Sequence, residues 1–512
     1  MKYKEHYDVV IVGSGLAGLV SAIILAKEGM QVCVLEKNNQ FGGNLQTFVR
    51  NKTIFDTGVH YIGGLSEGQN LHQYFKYLDI LQGIKLHKMD EDGFDIISFD
   101  GDPKEYRHAQ GHDNFVENLL EDFPEEEKGI KMYSKQLQET CKKFPLYSLE
   151  KGKPYYDDAE IFELPAKDYI NSFTNNKKLQ AVLAGTNYLY AGDKNRTPFY
   201  VHALSTNSYI QSAYRVVNGG SQLTKTLLKR VREHGGDAFK RHEVSKFNYE
   251  DGKITSVSTT NGVEVKGDLF ISNIEPKLTI KMVGEDKFKK SYTNRIEKIE
   301  STIAAFSLYI VLKPNSFKYQ NKNFYHFKDE TKIWDSLHYS QESWPEGYML
   351  SMGIKDNTAE YGETISVMTY MNYDELLPWE DTHNTIVNKN ERGQTYEQFK
   401  KEKAEILIDE IEKKFPNIRD CIEAYYTSTP LSYRDYIGSD RGAMYAYVKD
   451  VNKPLHSLLS PRTKIKNLFL TGQSLNMHGI LGVTISAINT CSEILGKDYL
   501  LDKILESNKH EV

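Results

Sequence analysis

Three glycines, Gly13, Gly15 and Gly18, stand at G-x-G-x-x-G spacing around Ser14, Leu16 and Ala17, and an acid, Glu36, follows them. Residues of these types at this spacing do phosphate and ribose chemistry. Gly13 permits a tight turn, Gly15 leaves the backbone open to a pyrophosphate, and Gly18 lets a helix pack closely on a strand. Free N–H groups at the start of that helix attract phosphate oxygens. Glu36 accepts from ribose hydroxyls, and its charge repels a 2′-phosphate. The surrounding residues supply the elements that must hold this arrangement. Val9 to Val12 is an apolar run short enough for a buried strand, Leu16 to Lys27 is a helical pattern closed by Gly29, and Val32 to Leu35 is a second apolar run ending at Glu36. The unit is βαβ, and its cofactor is a dinucleotide.

Beyond Glu36 come Lys37 and then Gly42, Gly43 and Asn44, an E-x5-G-G extension that lays a second glycine pair against the same cofactor. That extension resembles the FAD-dependent amine oxidase and phytoene desaturase superfamily. The resemblance implies an α/β fold: a Rossmann-like FAD-binding domain of the glutathione reductase/amine oxidase type, with an interleaved α+β substrate domain containing an antiparallel sheet. It also implies that Val244 gives its backbone to the adenine ring. At the far end of the chain, Leu468 to Leu470 reads as a strand, Thr471-Gly472-Gln473 as a turn, and Gly482 to Leu495 as a helix. This stretch is similar to the C-terminal FAD segment of the superfamily, where the helix N-terminus points at the flavin pyrimidine edge. Gly472, Gln473, Gly482 and Val483 join the cofactor candidates on that basis. Gln473 stands where many flavoproteins place an acid, and a neutral amide can still bond ribityl or phosphate oxygens.

Phe55 to Gly64 runs F-D-x-G-x-H-Y-x-G-G and resembles the segment that retinol saturases and carotenoid isomerases place beside the flavin. His60 and Tyr61 are therefore candidate proton donors. His478, in Asn476-Met477-His478-Gly479, falls at a position that borders the flavin in the superfamily. If protonated there, it would stabilise anionic reduced flavin and could pass a proton onward; if it is only a packing residue, Asn would replace it with little effect. Thr197 to Gln222 is similar to a retinol saturase stretch but departs from it at Ala213 to Gly220.

The domain organisation expected is interleaved, with 1–85, 214–290 and 432–512 forming the FAD-binding domain and 86–213 and 291–431 the substrate domain. Asn114 to Asp122 and Pro124 to Lys142 read as helices. Asp251-Gly252 and Asn261-Gly262 mark hairpin turns between Val244–Tyr249, Ile254–Thr259 and Val263–Val265. Asp268 to Asn273 reads as a separate buried strand, Thr302–Val311 and Glu363–Met371 as strands of the second domain, and Thr395 to Phe415 as a solvated surface helix.

The 512 residues carry 64 Lys plus Arg against 70 Asp plus Glu, a net charge of −6 that does not suggest nucleic acid as a partner. Cys33, Cys141, Cys421 and Cys491 form no C-x-x-C, so neither a metal site nor a disulfide framework is expected, and the compartment is read as cytoplasmic. Val9 to Ala26 is nearly apolar, but Glu5 and Asp8 precede it and glycines punctuate it, so it reads as the phosphate-binding unit and not as a signal or span. Membrane contact is expected to be peripheral at most. A second G-x-G-x-x-G in a βαβ context is absent, so electrons come from an external donor or leave to an external acceptor.

Together the motifs imply an FAD-dependent oxidoreductase acting on C=C bonds of a hydrophobic polyene, retinoid-like or carotenoid-like, and most similar to the retinol saturases. Desaturation or cis–trans isomerisation of a carotenoid is the alternative within the enzyme class. A non-catalytic prenyl-lipid-binding protein of the GDP-dissociation-inhibitor type is the alternative outside it. Those inhibitors lack the intact fingerprint that Gly13, Gly15 and Gly18 preserve here.

Overall fold

The computed structural model describes residues 3–155, 160–356, 358–387 and 389–509. Its first seven-stranded sheet grows from the strand Tyr7–Val12, whose side chains are almost all buried. Continuous burial on both faces selects β-branched residues and a parallel neighbourhood. Val32–Glu36 pairs with one side of this strand and Glu264–Ser272 with the other, both parallel. Asp237–Lys240 and Leu468–Leu470 extend the parallel part outward.

Glu264–Ser272 corrects the sequence reading, which split this stretch in two. It is one strand. Its first half pairs antiparallel with Lys253–Thr259, and its second half runs parallel with Tyr7–Val12. The join is Gly267, opposite Tyr7, where a Cβ would come within 2.8 Å of the Val10 side chain. A glycine at that point lets the chain pass from one pairing to the other without a turn.

The helix Leu16–Lys27 is buried along nearly its whole length. A helix apolar on every side belongs in the interior. It lies against the sheet, the helix Ser221–Glu233 and the helix Gly479–Leu495. Each of its fully buried Leu, Ile or Val side chains contributes on the order of 1.5–3 kcal/mol.

The second seven-stranded sheet runs in the order Ile422–Ser428, Ala304–Leu312, Thr364–Met371, Gly347–Met352, Asn323–Phe327, Asp95–Phe99, Tyr106–His108. It is antiparallel except where Asn323–Phe327 lies parallel to Asp95–Phe99. The helix Gln394–Lys414 covers it. The sequence reading made this a solvated helix because charge dominates its composition. Yet Ala404, Leu407, Ile408 and Ile411 form an i, i+3, i+4, i+7 stripe that packs into the same apolar cluster as the sheet. Lys403 beside that stripe is paired with Glu375 at 2.7 Å and lies over the Trp344 ring.

A small sheet of Ile62–Gly63, Ala213–Val216 and Leu86–Lys88 forms where the chain passes between the two large ones. Helices His112–Asp122, Glu127–Lys142 and Phe199–Gln211 pack together beside it. A short turn of helix, Pro124–Glu126, precedes the second of these and opens at the proline, as expected of a residue with no N–H to satisfy. The C-terminal helix begins at Gly479, three residues before the start read from sequence, because Ile480 and Leu481 already belong to its apolar pattern. Among the described residues, no helix is long and apolar enough to cross a membrane.

Candidate cofactor and substrate site

A cavity of about 2010 Å³ opens at the carboxyl ends of the parallel strands, where Val12, Glu36, Asn273 and Thr471 reach its wall. This is the edge of an α/β sheet at which ligands bind.

The glycine turn is built by its own contacts. The Gly13 N–H donates to the Leu35 carbonyl at 2.8 Å, and Gly13 adopts φ +97°. A Cβ on Gly18 would lie 2.2 Å from the Gly13 carbonyl oxygen. Ser14 donates through its N–H at 3.1 Å and its hydroxyl at 2.5 Å to one oxygen of Glu36, while the Asn38 N–H reaches the other oxygen at 2.8 Å. The Gly42 N–H donates to the Ser14 hydroxyl at 3.1 Å, and Gly15 bridges to Gly42 backbone to backbone. A Cβ on Gly43 would come within 3.2 Å of the Gly15 Cα. The two glycine motifs are therefore folded onto one another.

Gly13, Ser14, Gly15, Leu16 and Ala17 line one stretch of the cavity, and Glu36, Lys37, Gly42, Gly43 and Asn44 line the next. Gly18 faces inward, against the strand. The first N–H groups of the helix at Leu16 have no partner within the helix. Lys37 directs its ammonium to the Asp435 carbonyl at 3.1 Å, and burial pulls that ammonium below its usual pKa. Val244 stands at another end of the cavity, beside His242 and Glu243, with Leu278 and Met282 also in that wall. Gly472, Gln473 and Val483 lie along the C-terminal turn and helix. Gly482 does not: it packs beneath Met477 and lines a second chamber.

The wall has the character a large, polar, phosphate-bearing cofactor needs. It combines a backbone cradle that a Cβ would fill, unpaired helix N–H groups, and a buried acid for hydroxyls. Asn44 Oδ1 and Thr471 Oγ1 are both buried there without a hydrogen-bond partner among the described residues. Unpaired buried acceptors and hydroxyls in a cavity wall mark where a ligand supplies the missing bond.

Farther along the cavity the walls become aromatic. Tyr325, Met349 and Met368 occupy one row across the second sheet. Tyr61 packs on the Tyr209 ring at 4.1 Å, and its hydroxyl lies 2.9 Å from Asp95 and 2.7 Å from the Tyr325 hydroxyl. His60 borders the same space. Burial and the Arg215 guanidinium push its pKa down to about 4. His478 caps the C-terminal helix, 4.2 Å from the Tyr445 ring, with Nε2 2.8 Å from the Leu189 carbonyl oxygen. Only a protonated Nε2 can bond that oxygen, so the proton sits there. Burial, reinforced by the Lys449 ammonium, lowers its pKa to about 4. Of the two states weighed for it, His478 is the neutral one around pH 7, because the pocket that holds it disfavours charge.

The second chamber, of about 1030 Å³, meets the first at Leu189, Tyr209 and His478. Phe144, Phe162, Tyr200, Leu204 and Ile485 make its walls apolar. Sequence reasoning missed Asn273, Asp95, Tyr325 and this chamber. A lone acid opening the short buried strand Asp95–Phe99 was the one available signal.

A family model described as flavin containing amine oxidoreductase matches residues 16–495. The chain belongs to that family. It is an FAD-dependent oxidoreductase. Among curated proteins, this flavoprotein is 27% identical to the all-trans-retinol 13,14-reductase of Rattus norvegicus, over 98% of this chain and 88% of that protein. It is 24% identical to prolycopene isomerase 1, chloroplastic, of an Oncidium hybrid cultivar, over 98% and 85%. Among solved structures, an oxidoreductase from Methanosarcina mazei matches 94% of this chain and 99% of its own with a TM-score of 0.63 at 13% identity. At that identity the likeness shows the fold.

Proposed function

We propose that this flavoprotein reduces a carbon–carbon double bond of a hydrophobic polyene, of the retinoid or carotenoid kind. The observation that carries this reading is that the aromatic end of the cofactor cavity opens into an apolar second chamber at Leu189, Tyr209 and His478. A long, stiff, apolar chain fits such a passage, whereas a charged amine would find no carboxylate among the described residues of the second chamber's wall. The relatives named as a retinol reductase and a prolycopene isomerase support the same substrate class.

FAD, when bound, supplies two-electron transfer at carbon. The chain does the rest. Gly13, Gly15, Gly42 and Gly43 admit the cofactor backbone to backbone, and Glu36 offers its remaining lone pairs to the ribose. The chambers orient the polyene and keep water from it. Neutral His60 and His478 shape the passage without placing charge beside an apolar chain.

Residues 1–85, 214–290 and 432–512 serve as the FAD-binding domain in this reading, and 86–213 and 291–431 as the substrate domain. The electron donor is external. The substrate enters from a lipid surface that the protein touches peripherally. Leu455, 69% exposed, lies close in sequence to Leu458 in the second chamber's wall and is a point of such contact. Anaerobic addition of polyenes to the chemically reduced holoenzyme tests the reaction. The expected result is flavin reoxidation with a product heavier by H₂. A product of unchanged mass with the flavin left reduced favours the isomerase reading, and recovery of every polyene unchanged rejects both.

A further inference from the structure

Asp95 is fully buried at the start of the strand Asp95–Phe99, and two hydroxyls stand in line from it toward the cavity. Its Oδ2 lies 2.9 Å from the Tyr61 hydroxyl, which lies 2.7 Å from the Tyr325 hydroxyl. Both tyrosines line the cavity. The other carboxyl oxygen accepts the Asn323 amide at 2.8 Å. Arg215 is kept one group away: it donates to Asn323 Oδ1 at 3.0 Å and to the Lys322 and His60 carbonyls at 2.8 and 3.4 Å. Tyr325 has Tyr61 as its only hydrogen-bond partner among the described residues.

Each hydroxyl has one hydrogen, so the line has two polarities. With Asp95 ionised, Tyr61 donates to Asp95, Tyr325 donates to Tyr61, and Tyr325 shows the cavity only lone pairs. With Asp95 protonated, both bonds reverse, and the Tyr325 hydrogen is left to point at whatever fills the cavity.

We propose that Asp95, Tyr61 and Tyr325 form a proton relay whose last hydroxyl, Tyr325, protonates the substrate carbon, with the protonation of Asp95 setting the direction of transfer. The proposal rests on the reading of this flavoprotein as a C=C reductase. The Tyr325 O–H bond breaks as the new C–H bond forms. The Tyr61 hydrogen moves to Tyr325 and the Asp95 hydrogen to Tyr61, leaving a carboxylate that regains a proton from water after product leaves. The other carbon takes hydride from reduced FAD. The π bond is consumed, the flavin loses two electrons, and the external donor has supplied them beforehand. Tyr325 is the catalytic residue of this step, and Tyr61 and Asp95 are positioning and relay residues.

The surroundings suit the assignment. Burial raises the Asp95 carboxyl to about 7 against the lowering pull of Asn323, Tyr61 and Arg215. The groups that face it are Tyr61, Tyr325, Tyr209, Asn323 and Arg215, with His108 opposite on the neighbouring strand. Burial pushes Tyr61 and Tyr325 well above the ordinary tyrosine range and His108 down to about 4. Asp95 alone in this cluster changes charge near neutrality.

Infrared titration of the apoprotein reads the switch without cofactor or substrate. A protonated-carboxyl band should vanish as pH rises through about 7 and be missing in Asp95→Asn, which keeps a partner for Tyr61 but cannot pass a proton. A carboxyl ionised at every pH overturns the relay. In the reduced holoenzyme, Tyr325→Phe and Asp95→Asn should slow polyene-dependent flavin reoxidation about a hundredfold or more, with normal flavin content. The wild-type rate should fall as pH rises through about 7, and Asp95→Asn should flatten that profile. If no polyene oxidises the wild-type flavin, the reductase reading fails; if the wild type reacts and Tyr325→Phe matches it in rate and pH profile, the relay alone fails.

Discussion

Asn273 donates its side-chain amide to the Gly13 carbonyl oxygen at 3.1 Å. The same side chain reaches the other glycine turn: a Cβ on Gly472, which adopts φ +105°, would lie 2.9 Å from Asn273 Oδ1. One amide at the end of the strand Glu264–Ser272 thus fits between glycine turns from opposite ends of the chain. It also explains part of the demand for glycine in the fingerprint, because a Cβ on Gly15 would meet Asn273 Nδ2 at 3.0 Å before any cofactor was present.

Replacing Asn273 therefore disturbs both turns. Asn273→Leu removes the bond to Gly13 and leaves that carbonyl facing an apolar group. A loss of about 1–3 kcal/mol in apoprotein stability is expected, with flavin content well below stoichiometric. Denaturant melts of the apoprotein and the absorbance ratio of the purified holoprotein measure the two effects. Full flavin occupancy in this variant would separate Asn273 from the cradle.

Glu36 holds the glycine turn together whatever it offers a cofactor. It takes Ser14 and Asn38 N–H groups and the Ser14 hydroxyl while 5% exposed. Glu36→Ala should weaken FAD binding and also destabilise the apoprotein by about 1.5–3 kcal/mol, since charged hydrogen bonds are lost from a buried turn. Urea unfolding without FAD reads the second effect. An unchanged midpoint would restrict Glu36 to cofactor binding.

The local parts of the site were legible because their meaning is local. Gly13 to Gly18 and Glu36 fall within a single βαβ unit, and spacing alone identifies them. Asn273, Asp95 and Tyr325 acquire their roles from topology. Asp95 reaches Tyr325 only because Asp95–Phe99 pairs in parallel with Asn323–Phe327, a partnership between segments distant in sequence. Position near a motif also says nothing of charge state. His478 lies beside the cavity, yet its burial refuses the proton that a role in transfer would need. The helix Gln394–Lys414 misled in a similar way, since its charged residues outnumber the narrow stripe that decides its packing.

His478 makes a pH prediction with a definite sign. Its folded-state pKa of about 4 lies below the ordinary 6.5. Between those values the unfolded chain binds a proton that the folded chain excludes, so its contribution is full above pH 6.5 and is lost as pH falls toward 4. His478→Asn should soften the fall in melting temperature across that window. It should leave flavin content and the reoxidation profile above pH 6.5 close to wild type, because neutral His478 holds no proton to donate there. Loss of a pH-dependent step near 6.5 in this variant would return His478 to the proton-transfer machinery.

The second chamber makes the final prediction. Leu204 lies in the helix Phe199–Gln211, only 8% exposed, and contributes to the chamber's apolar wall away from the glycine cradle. Leu204→Trp puts an indole into space the polyene tail would occupy. The loss should be roughly 1–3 kcal/mol in transition-state binding, or about 10–200-fold in kcat/KM for a long polyene. A truncated polyene that reaches only the cofactor cavity should be spared, and flavin content should stay normal. Kinetics with a length series, wild type against variant, decide the matter: equal losses for long and short substrates would mean that the tail does not run through this chamber.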